Sequence, residues 1–174
     1  MLKKPLLVLV LLVALLSCKK DYKEETPETV TTTYYLIRHA EKDRSDKANR
    51  NPNLTETGQQ RAQNWAKYFD TIPLDAVYST NYLRTIQTAT PTAKKKGLEI
   101  QSYDPGNMYD QAFKLATKEK KVLVVGHSNT TPVFVNKILG EEKYPWMHDK
   151  DNASLYKVTI RDSVVNVVIE TVEN

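Results

Sequence analysis

The segment Lys121–Val125 limits the possible folds of this 174-residue chain more than any other. Its residues after the lysine are Val-Leu-Val-Val, so the strand that they predict is apolar on both faces. Strands buried on both faces are typical of parallel sheets covered by helices. The sequence therefore predicts an α/β domain of three layers, α/β/α, with this strand near the centre of a mainly parallel sheet.

The rest of the pattern alternates between strands and helices, as such a domain requires. The other predicted elements, in chain order, are a strand at 34–37, a helix from Thr57 through Phe69, a strand at 76–78, a helix over 81–96, a weak strand at 98–102, a short helix around 112–116, a helix over 131–139 and two alternating segments at 154–160 and 164–172. Thr57 has capping-box spacing to Gln60, and Pro91 predicts a kink in the second helix. The last two segments predict an antiparallel hairpin at the sheet edge.

The first 17 residues predict a secretory signal. Lys3 and Lys4 precede an apolar run of 11 residues, Leu6–Leu16, which is too short for a helix that crosses a bilayer. The run ends in Leu-Leu-Ser-Cys, which resembles a bacterial lipobox, and Cys18 is the only cysteine of the chain. We therefore expect residues 1–17 to be removed and Cys18 to carry lipid. An ordinary signal peptide or an N-terminal anchor helix is the alternative.

The following segment, residues 18–32, is rich in Lys, Glu and Thr and predicts a flexible tether, which leaves residues 33–174 as the folded domain. The expected location is the bacterial cell envelope outside the cytoplasm, with the outer membrane favoured. Removal of the signal lowers the formal net charge from +4 to +2, which gives little support to nucleic-acid binding. A single cysteine excludes an internal disulfide and a cysteine-based zinc cluster. We expect a monomer.

Polar residues follow three of the predicted strands at the point where each strand ends. They are Arg38, His39 and Glu41 after the first strand, Ser79 and Arg84 after the second, and Gly126, His127, Ser128 and Asn129 after the apolar strand. Ligands of open α/β sheets bind beyond the carboxyl ends of the strands. We therefore expect two imidazoles and two guanidiniums, those of Arg38, His39, Arg84 and His127, to meet at one edge.

That set of side chains suits a phosphoryl group. Guanidiniums match phosphate oxygens two at a time, a neutral imidazole can attack phosphorus, and a second imidazole can donate to a non-bridging oxygen. The helix that follows Gly126 adds backbone donors at its N-terminus. The third histidine, His148, lies in a polar loop without ligand spacing, so no metal site is expected. The sequence predicts a phosphoryl-transfer site.

Four segments carry a family resemblance. Leu36–Glu41, Leu54–Gly58, Ser79–Ala89 and Val125–Ser128 resemble motifs of the histidine phosphatase superfamily, nearest to the branch with phosphoglycerate mutases and small bacterial phosphohistidine phosphatases. The likeness extends from about Thr33 to Leu139. It implies a phosphomonoesterase in which His39 is phosphorylated while Arg38, Arg84 and His127 bind the phosphoryl oxygens. It also implies that water then hydrolyses the phosphohistidine, without metal or cofactor.

The general acid is less well defined by the resemblance. In the family it usually follows the third strand, which here indicates Asp104, although the Leu-x-Glu pattern of the mutases is absent. Glu41 is the rival, a turn residue is the structural alternative for Asp104, and some members lack the acid. Asn53, Ser128 and Asn129 are further candidates for contacts with substrate.

The sequence thus predicts a membrane-tethered hydrolase of small phosphoric monoesters, of the histidine acid phosphatase type. Two alternatives stay open. One is a lipoprotein with this fold that binds phosphate or another ligand without turnover, and the other is a phosphohistidine-protein phosphatase. The 141–152 loop, with Tyr144 and Trp146, either forms part of a substrate lid or covers the sheet edge.

Overall fold

The computed structural model of the protein describes residues 30–173. The predicted signal, Cys18 and the tether as far as residue 29 lie outside the described residues. The strands are Thr31–Arg38 (β1), Ala76–Ser79 (β2), Ile100–Ser102 (β3), Lys121–Gly126 (β4), Ser154–Arg161 (β5) and Val164–Thr171 (β6). The helices are Glu56–Tyr68 (α1), Leu83–Lys96 (α2), Gln111–Thr117 (α3) and Thr130–Leu139 (α4). Within this part of the chain, no helix is long and apolar enough to cross a membrane.

One six-stranded sheet forms the middle layer, in the order β3-β2-β4-β1-β5-β6. The first four strands are parallel to one another, and β5 and β6 add antiparallel edge strands. The α/β fold with a mostly parallel sheet and an antiparallel edge is therefore confirmed. β4 lies between β1 and β2, where Val122–Val125 are at most 2% exposed. An all-apolar run lies at the centre because only there are both faces of a strand covered.

The two faces of the sheet carry separate hydrophobic clusters. One contains Trp65 and Phe69 of the α1 region and Ala89 of α2, and the other contains Phe134 and Val135 of α4. The helices thus cover both faces, and the parallel strands end at one common edge. His39, Thr80 and His127 directly follow β1, β2 and β4 at that edge.

The predicted start of the first helix at Thr57 is wrong. Thr55 is the N-cap, with extended backbone, and its Oγ1 accepts a hydrogen bond from the Gly58 N–H at 3.1 Å. Thr57 already lies in the helix. The α2 helix begins at Leu83 rather than residue 81 and continues through Pro91 to Lys96. β1 begins at Thr31, within the segment predicted as tether.

The N-terminus of α1 holds the loop that follows β1. The Thr55 N–H and hydroxyl donate to the Glu41 carbonyl at 2.9 and 3.2 Å. Gly58 packs so closely there that a Cβ on it would lie 2.2 Å from the same carbonyl oxygen. A glycine is therefore required where α1 contacts Glu41, and Glu41 lies two residues after His39 in the chain.

Candidate active site

His39 is held in one tautomer by its own loop. Its backbone N–H continues the β1–β4 ladder by donating to the Gly126 carbonyl at 2.9 Å, and its side chain is 3% exposed. Nδ1 lies 2.7 Å from the Ala40 carbonyl oxygen. Because a carbonyl can only accept, Nδ1 carries the proton and Nε2 carries the free lone pair.

The charge state of His39 also favours a free lone pair. Burial, together with the nearby Arg38, His127 and Arg84, lowers the pKa of His39 to about 3, although the hydrogen bond to Ala40 acts to raise it. The imidazole is thus neutral at neutral pH. A neutral imidazole with its lone pair on Nε2 is the form that attacks an electrophile.

His127 lies beside it, with the two ring centroids 5.5 Å apart. Its Nε2 is 2.9 Å from Thr80 Oγ1, and that hydroxyl in turn donates to Thr85 Oγ1 at 3.0 Å. The Thr80 hydroxyl therefore accepts from His127, so the Nε2 atom carries a proton. Burial, followed by the positive charges of Arg84 and Lys42, lowers the pKa of His127 to about 4.

Arg84 reaches the same edge from the first turn of α2. Its guanidinium carbon lies 4.3 Å from the ring centroid of Tyr82, and the Tyr82 ring is edge-on to His127 at 5.2 Å. Tyr82 thus orients both side chains. The Nε atom of Arg84 is buried and has no hydrogen-bond partner within residues 30–173. An unpartnered buried donor of this kind is available to an anion in the cavity.

Arg38 is 2% exposed and is held by the loop before β5. Its Nη1 donates to three carbonyl oxygens and its Nη2 to one carboxylate, those of His148 at 3.1 Å, Asp149 at 2.8 Å, Asp151 at 3.0 Å and Asp149 Oδ1 at 3.1 Å. Its Nε is buried and unpartnered among the described residues, as in Arg84. The loop therefore fixes the guanidinium and leaves the Nε–H free.

The four predicted side chains line one cavity of about 350 Å³. Its wall contains Arg38, His39, Arg84 and His127, together with Lys42, Tyr82, Pro105, Ser128, Asn129, Thr130 and Asp149. The structure thus brings the two imidazoles and two guanidiniums to the edge where the parallel strands end. Ser128 and Asn129, predicted as substrate contacts, lie in the same wall.

Three predicted residues lie outside that wall. The Glu41 carboxylate accepts from Arg61 Nε at 2.8 and 3.0 Å. Asp104 Oδ1 accepts from the Gly106 N–H at 2.8 Å, the turn arrangement considered above. Asn53 Oδ1 accepts from the side-chain amide of Gln87 at 2.7 Å.

Sequence reasoning missed several residues of the site. Lys42 lines the cavity, and its pKa is lowered by burial and by the neighbouring cations Arg84 and Arg44. Its position just after Glu41 could have indicated it. Asp149 and Asn152 come from a loop about 110 residues away, and Asn152 Nδ2 donates to the His39 carbonyl at 2.8 Å. No periodicity or motif marks these two.

Metal ligands are not clustered in this part of the molecule. Among residues 30–173, no group of three or more histidine, cysteine or acidic side chains is placed to hold a metal ion. His148 is exposed, and its Nδ1 accepts from the Lys150 N–H at 3.2 Å.

Comparison with known families gives a match to part of the chain. Residues 34–105 match the histidine phosphatase superfamily (branch 1). The histidine phosphatase match covers less than half of the chain, from β1 to just beyond β3, and includes Arg38, His39 and Arg84 but not His127. No curated protein sequence is significantly similar to the chain.

Solved structures share the fold along most of the chain. The proposed phosphohistidine phosphatase SixA from Agrobacterium tumefaciens is 20% identical, with a TM-score of 0.59 over 80% of this chain and 97% of its own. Bacillus stearothermophilus YhfR is 17% identical, with a TM-score of 0.63 over 82% and 98%. The mycobacterial glucosyl-3-phosphoglycerate phosphatase is 12% identical, with a TM-score of 0.58 over 81% and 98%. At these identities the likeness shows the fold.

Proposed function

We propose that this chain is a histidine phosphatase along its whole folded domain and hydrolyses phosphoric monoesters through a phosphohistidine on His39. The observation that supports this most directly is the state of His39. It is buried, neutral, and held with its lone pair on Nε2, beside two guanidiniums whose Nε–H groups have no partner within residues 30–173. A phosphoryl dianion is the ligand that such a set of groups stabilises best.

In the first step, His39 Nε2 attacks phosphorus and the bond from phosphorus to the ester oxygen breaks. Nε2 gains the phosphoryl group, and the positive charge that forms on the ring is stabilised by the Nδ1–H···O=C bond to Ala40. Arg38 and Arg84 bind the non-bridging oxygens, where charge accumulates during transfer.

His127 supports the same step through a change of protonation. In the free site its Nε2–H is donated to Thr80, and Nδ1 carries the lone pair. A bound dianion favours the imidazolium form, so we expect His127 to take up a proton on Nδ1 when phosphate binds. The protonated ring then adds a positive charge beside the phosphoryl group.

The departing oxygen needs a proton, and we retain Asp104 as its proposed donor. Pro105, its neighbour, lies in the cavity wall, so the Asp104 loop borders the cavity. Asp149 already lies in the wall, but hydrogen bonding to Arg44 and the charges of Arg44 and Arg38 lower its pKa. Asp149 is thus held as the anionic partner of two arginines, whereas Asp104 forms no ion pair with any residue between 30 and 173, which makes Asp104 the better candidate.

In the second step, water attacks phosphorus, the bond between Nε2 and phosphorus breaks, and inorganic phosphate leaves. The conjugate base of the acid takes the proton from water, and His39 returns to its neutral form. The site then carries the same protons as before the reaction.

The test is trapping of the intermediate. During turnover of p-nitrophenyl phosphate, acid-labile and base-stable phosphoprotein should form in the wild type and be absent from His39→Ala. His148→Ala, which alters an exposed imidazole, is the matched control and should behave as the wild type. Turnover should persist with chelator. Hydrolysis that survives His39→Ala would refute the mechanism, and phosphate binding without turnover would favour the non-catalytic alternative.

A phosphohistidine-protein phosphatase is a second candidate because SixA-type structures share the fold. The same assay with a phosphohistidine peptide distinguishes it from an enzyme of small phosphomonoesters. A higher kcat for the phosphohistidine peptide than for p-nitrophenyl phosphate would favour a protein substrate.

We also propose that the domain is tethered to a bacterial membrane through lipid on Cys18, after removal of residues 1–17. The support is the sequence alone, in which the only cysteine ends the apolar run. Cys18→Ser should release the protein into the soluble fraction of lysed cells. Retention in the membrane fraction would instead favour an uncleaved N-terminal anchor.

A further inference from the structure

A second cavity of about 340 Å³ adjoins the phosphoryl cavity. The two share His39, Lys42 and Asp149 in their walls. The rest of the second wall consists of polar and charged residues, namely Glu41, Arg44, Lys150 and Asn152. A group bound there would lie next to a phosphoryl group bound at His39.

The carboxylates in this second wall are already paired. Glu41 is held by Arg61 at 2.8 Å. Asp149 Oδ1 accepts from two arginines, Arg38 Nη2 at 3.1 Å and Arg44 Nη2 at 2.9 Å. The lysines are not paired in this way, because neither Lys42 nor Lys150 forms an ion pair with any residue between 30 and 173.

The joint cavity therefore has more positive charge than one phosphoryl group balances. Five cations line it, Arg38, Lys42, Arg44, Arg84 and Lys150, against Asp149, since Glu41 is balanced by Arg61 outside the wall. The excess is four positive charges, and a phosphoryl dianion balances two. The pKa of Lys42 is lowered first by burial, and the repulsion from Arg84 and Arg44 lowers it in addition.

The Asp149 carboxylate shows how an anionic group can bind in the second cavity. A single carboxylate oxygen accepts from two guanidiniums, on a side chain that is 67% exposed and can turn toward solvent. Arg44 is also half-exposed, with 53% of its side chain accessible. An anionic group of a ligand can therefore replace Asp149 on Arg44 without disturbing the buried Arg38 contacts to backbone carbonyls.

We propose that the second cavity is a subsite for another anionic group of the substrate, a carboxylate or a second phosphoryl group, bound by Arg44 and Lys150. Lys42 lies in both walls and contacts both groups. The proposal rests on the phosphatase function proposed above, because that function places the scissile phosphoryl group at His39. It narrows the substrate class to phosphomonoesters with at least one more negative charge close to the ester.

Pairs of substrates that differ in one anionic group test the subsite. O-phosphoserine and O-phosphoethanolamine differ by a carboxylate, and glucose 1,6-bisphosphate and glucose 6-phosphate differ by a phosphoryl group. In the wild type, kcat/KM should be higher for the more anionic member of at least one pair, and the pair that responds identifies the group. Lys150→Gln should reduce that gain by about two- to fivefold, the factor of one ion pair at an exposed site.

The matched control is Lys47→Gln, which removes an exposed lysine that lies in the loop containing Arg44 and lines neither cavity. It should leave the gain unchanged, whereas Lys150→Gln should lower kcat/KM more for the more anionic member of the responding pair than for phosphoethanolamine or glucose 6-phosphate. An equal loss for both members of each pair, or no gain in the wild type, would overturn the subsite.

A binding measurement separates failure of the subsite from failure of the phosphatase function. Calorimetry with His39→Asn compares the affinities of the same pairs without turnover. A gain in affinity that Lys150→Gln removes supports the subsite even if p-nitrophenyl phosphate is not hydrolysed by the wild type. Equal affinities within each pair, together with normal hydrolysis of p-nitrophenyl phosphate, refute the subsite and leave the phosphatase function intact.

Discussion

Acidification from pH 7 to pH 4 should destabilise the fold through the His39 imidazole. In the unfolded chain a histidine has a pKa near 6.5, whereas in the folded site burial lowers the pKa of His39 to about 3. Between these values the unfolded chain binds a proton that the folded protein does not. The free energy of unfolding is therefore unaffected by His39 above pH 6.5 and falls as pH drops from there toward 3.

The size of the effect follows from the two pKa values. At pH 4, the linkage relation for pKa values of 6.5 and about 3 gives a loss of about 3 kcal/mol relative to pH 7. The side chain is 3% exposed, so solvent screening does not reduce this figure appreciably. A loss of this size is a large part of the ~5–15 kcal/mol that stabilises an ordinary domain.

Urea denaturation at both pH values measures the loss, with fluorescence of the buried Trp65 as the probe. His39→Asn is the informative variant, because its amide can still donate to the Ala40 carbonyl but cannot take up a proton. Other titrating groups contribute equally to both proteins, so the wild type should lose about 3 kcal/mol more than the variant between pH 7 and pH 4. His148→Asn, at an exposed position, should lose as much as the wild type. An equal loss in His39→Asn and the wild type would refute the reasoning.

Three further predictions concern the surroundings of the nucleophile. Thr80→Val should lower kcat/KM about tenfold, because it leaves the buried Nε2–H of His127 without an acceptor. Gly58→Ala should lower the free energy of unfolding by more than about 2 kcal/mol in urea denaturation, since its Cβ would meet the Glu41 carbonyl oxygen at 2.2 Å. Asp104→Asn should slow hydrolysis of alkyl phosphates more than that of p-nitrophenyl phosphate, whose leaving group needs no acid.

Matched measurements decide each of these. Thr92→Val is the control for Thr80→Val, because the buried Thr92 hydroxyl has no hydrogen-bond partner among the described residues, and it should leave kcat/KM unchanged. Unchanged stability of Gly58→Ala would mean that the loop after β1 can move away from α1. Equal slowing of both substrate classes by Asp104→Asn would remove Asp104 from the role of acid.

The positions of the strands and of the catalytic candidates could be predicted for the same reason. Val122–Val125 has only one stable environment, the centre of a covered sheet, and that placement fixes where β1 and β2 must run. His39 and His127 directly follow strands, so their meeting at one edge is a consequence of parallel order. Arg84 lies in the first turn of α2, the helix that follows β2, so it reaches the same edge. These inferences need only local patterns and the parallel arrangement.

Contacts between distant loops could not be predicted in this way. Asn152 and Asp149 reach the site from the loop before β5, and nothing in the sequence around them distinguishes them from other polar loop residues. The choice between Thr55 and Thr57 as the helix cap depends on how closely Gly58 fits the Glu41 carbonyl, which is a tertiary contact. The N-cap propensity of threonine is the same at both positions, so it cannot decide between them.

Arg38 illustrates why a loss of activity has to be interpreted through the fold. The sequence predicts it as a ligand of the phosphoryl group, yet its Nη atoms hold the loop from His148 to Asp151 through four hydrogen bonds. That loop also supplies Asn152, which holds the His39 carbonyl. Arg38→Ala would therefore release the nucleophile's support as well as a phosphoryl ligand, and its effect on kcat/KM would exceed the contribution of the Arg38 Nε–H. The Arg84 guanidinium makes only one hydrogen bond within residues 30–173, a long one of 3.4 Å to the Arg50 carbonyl, so its removal measures phosphoryl binding itself.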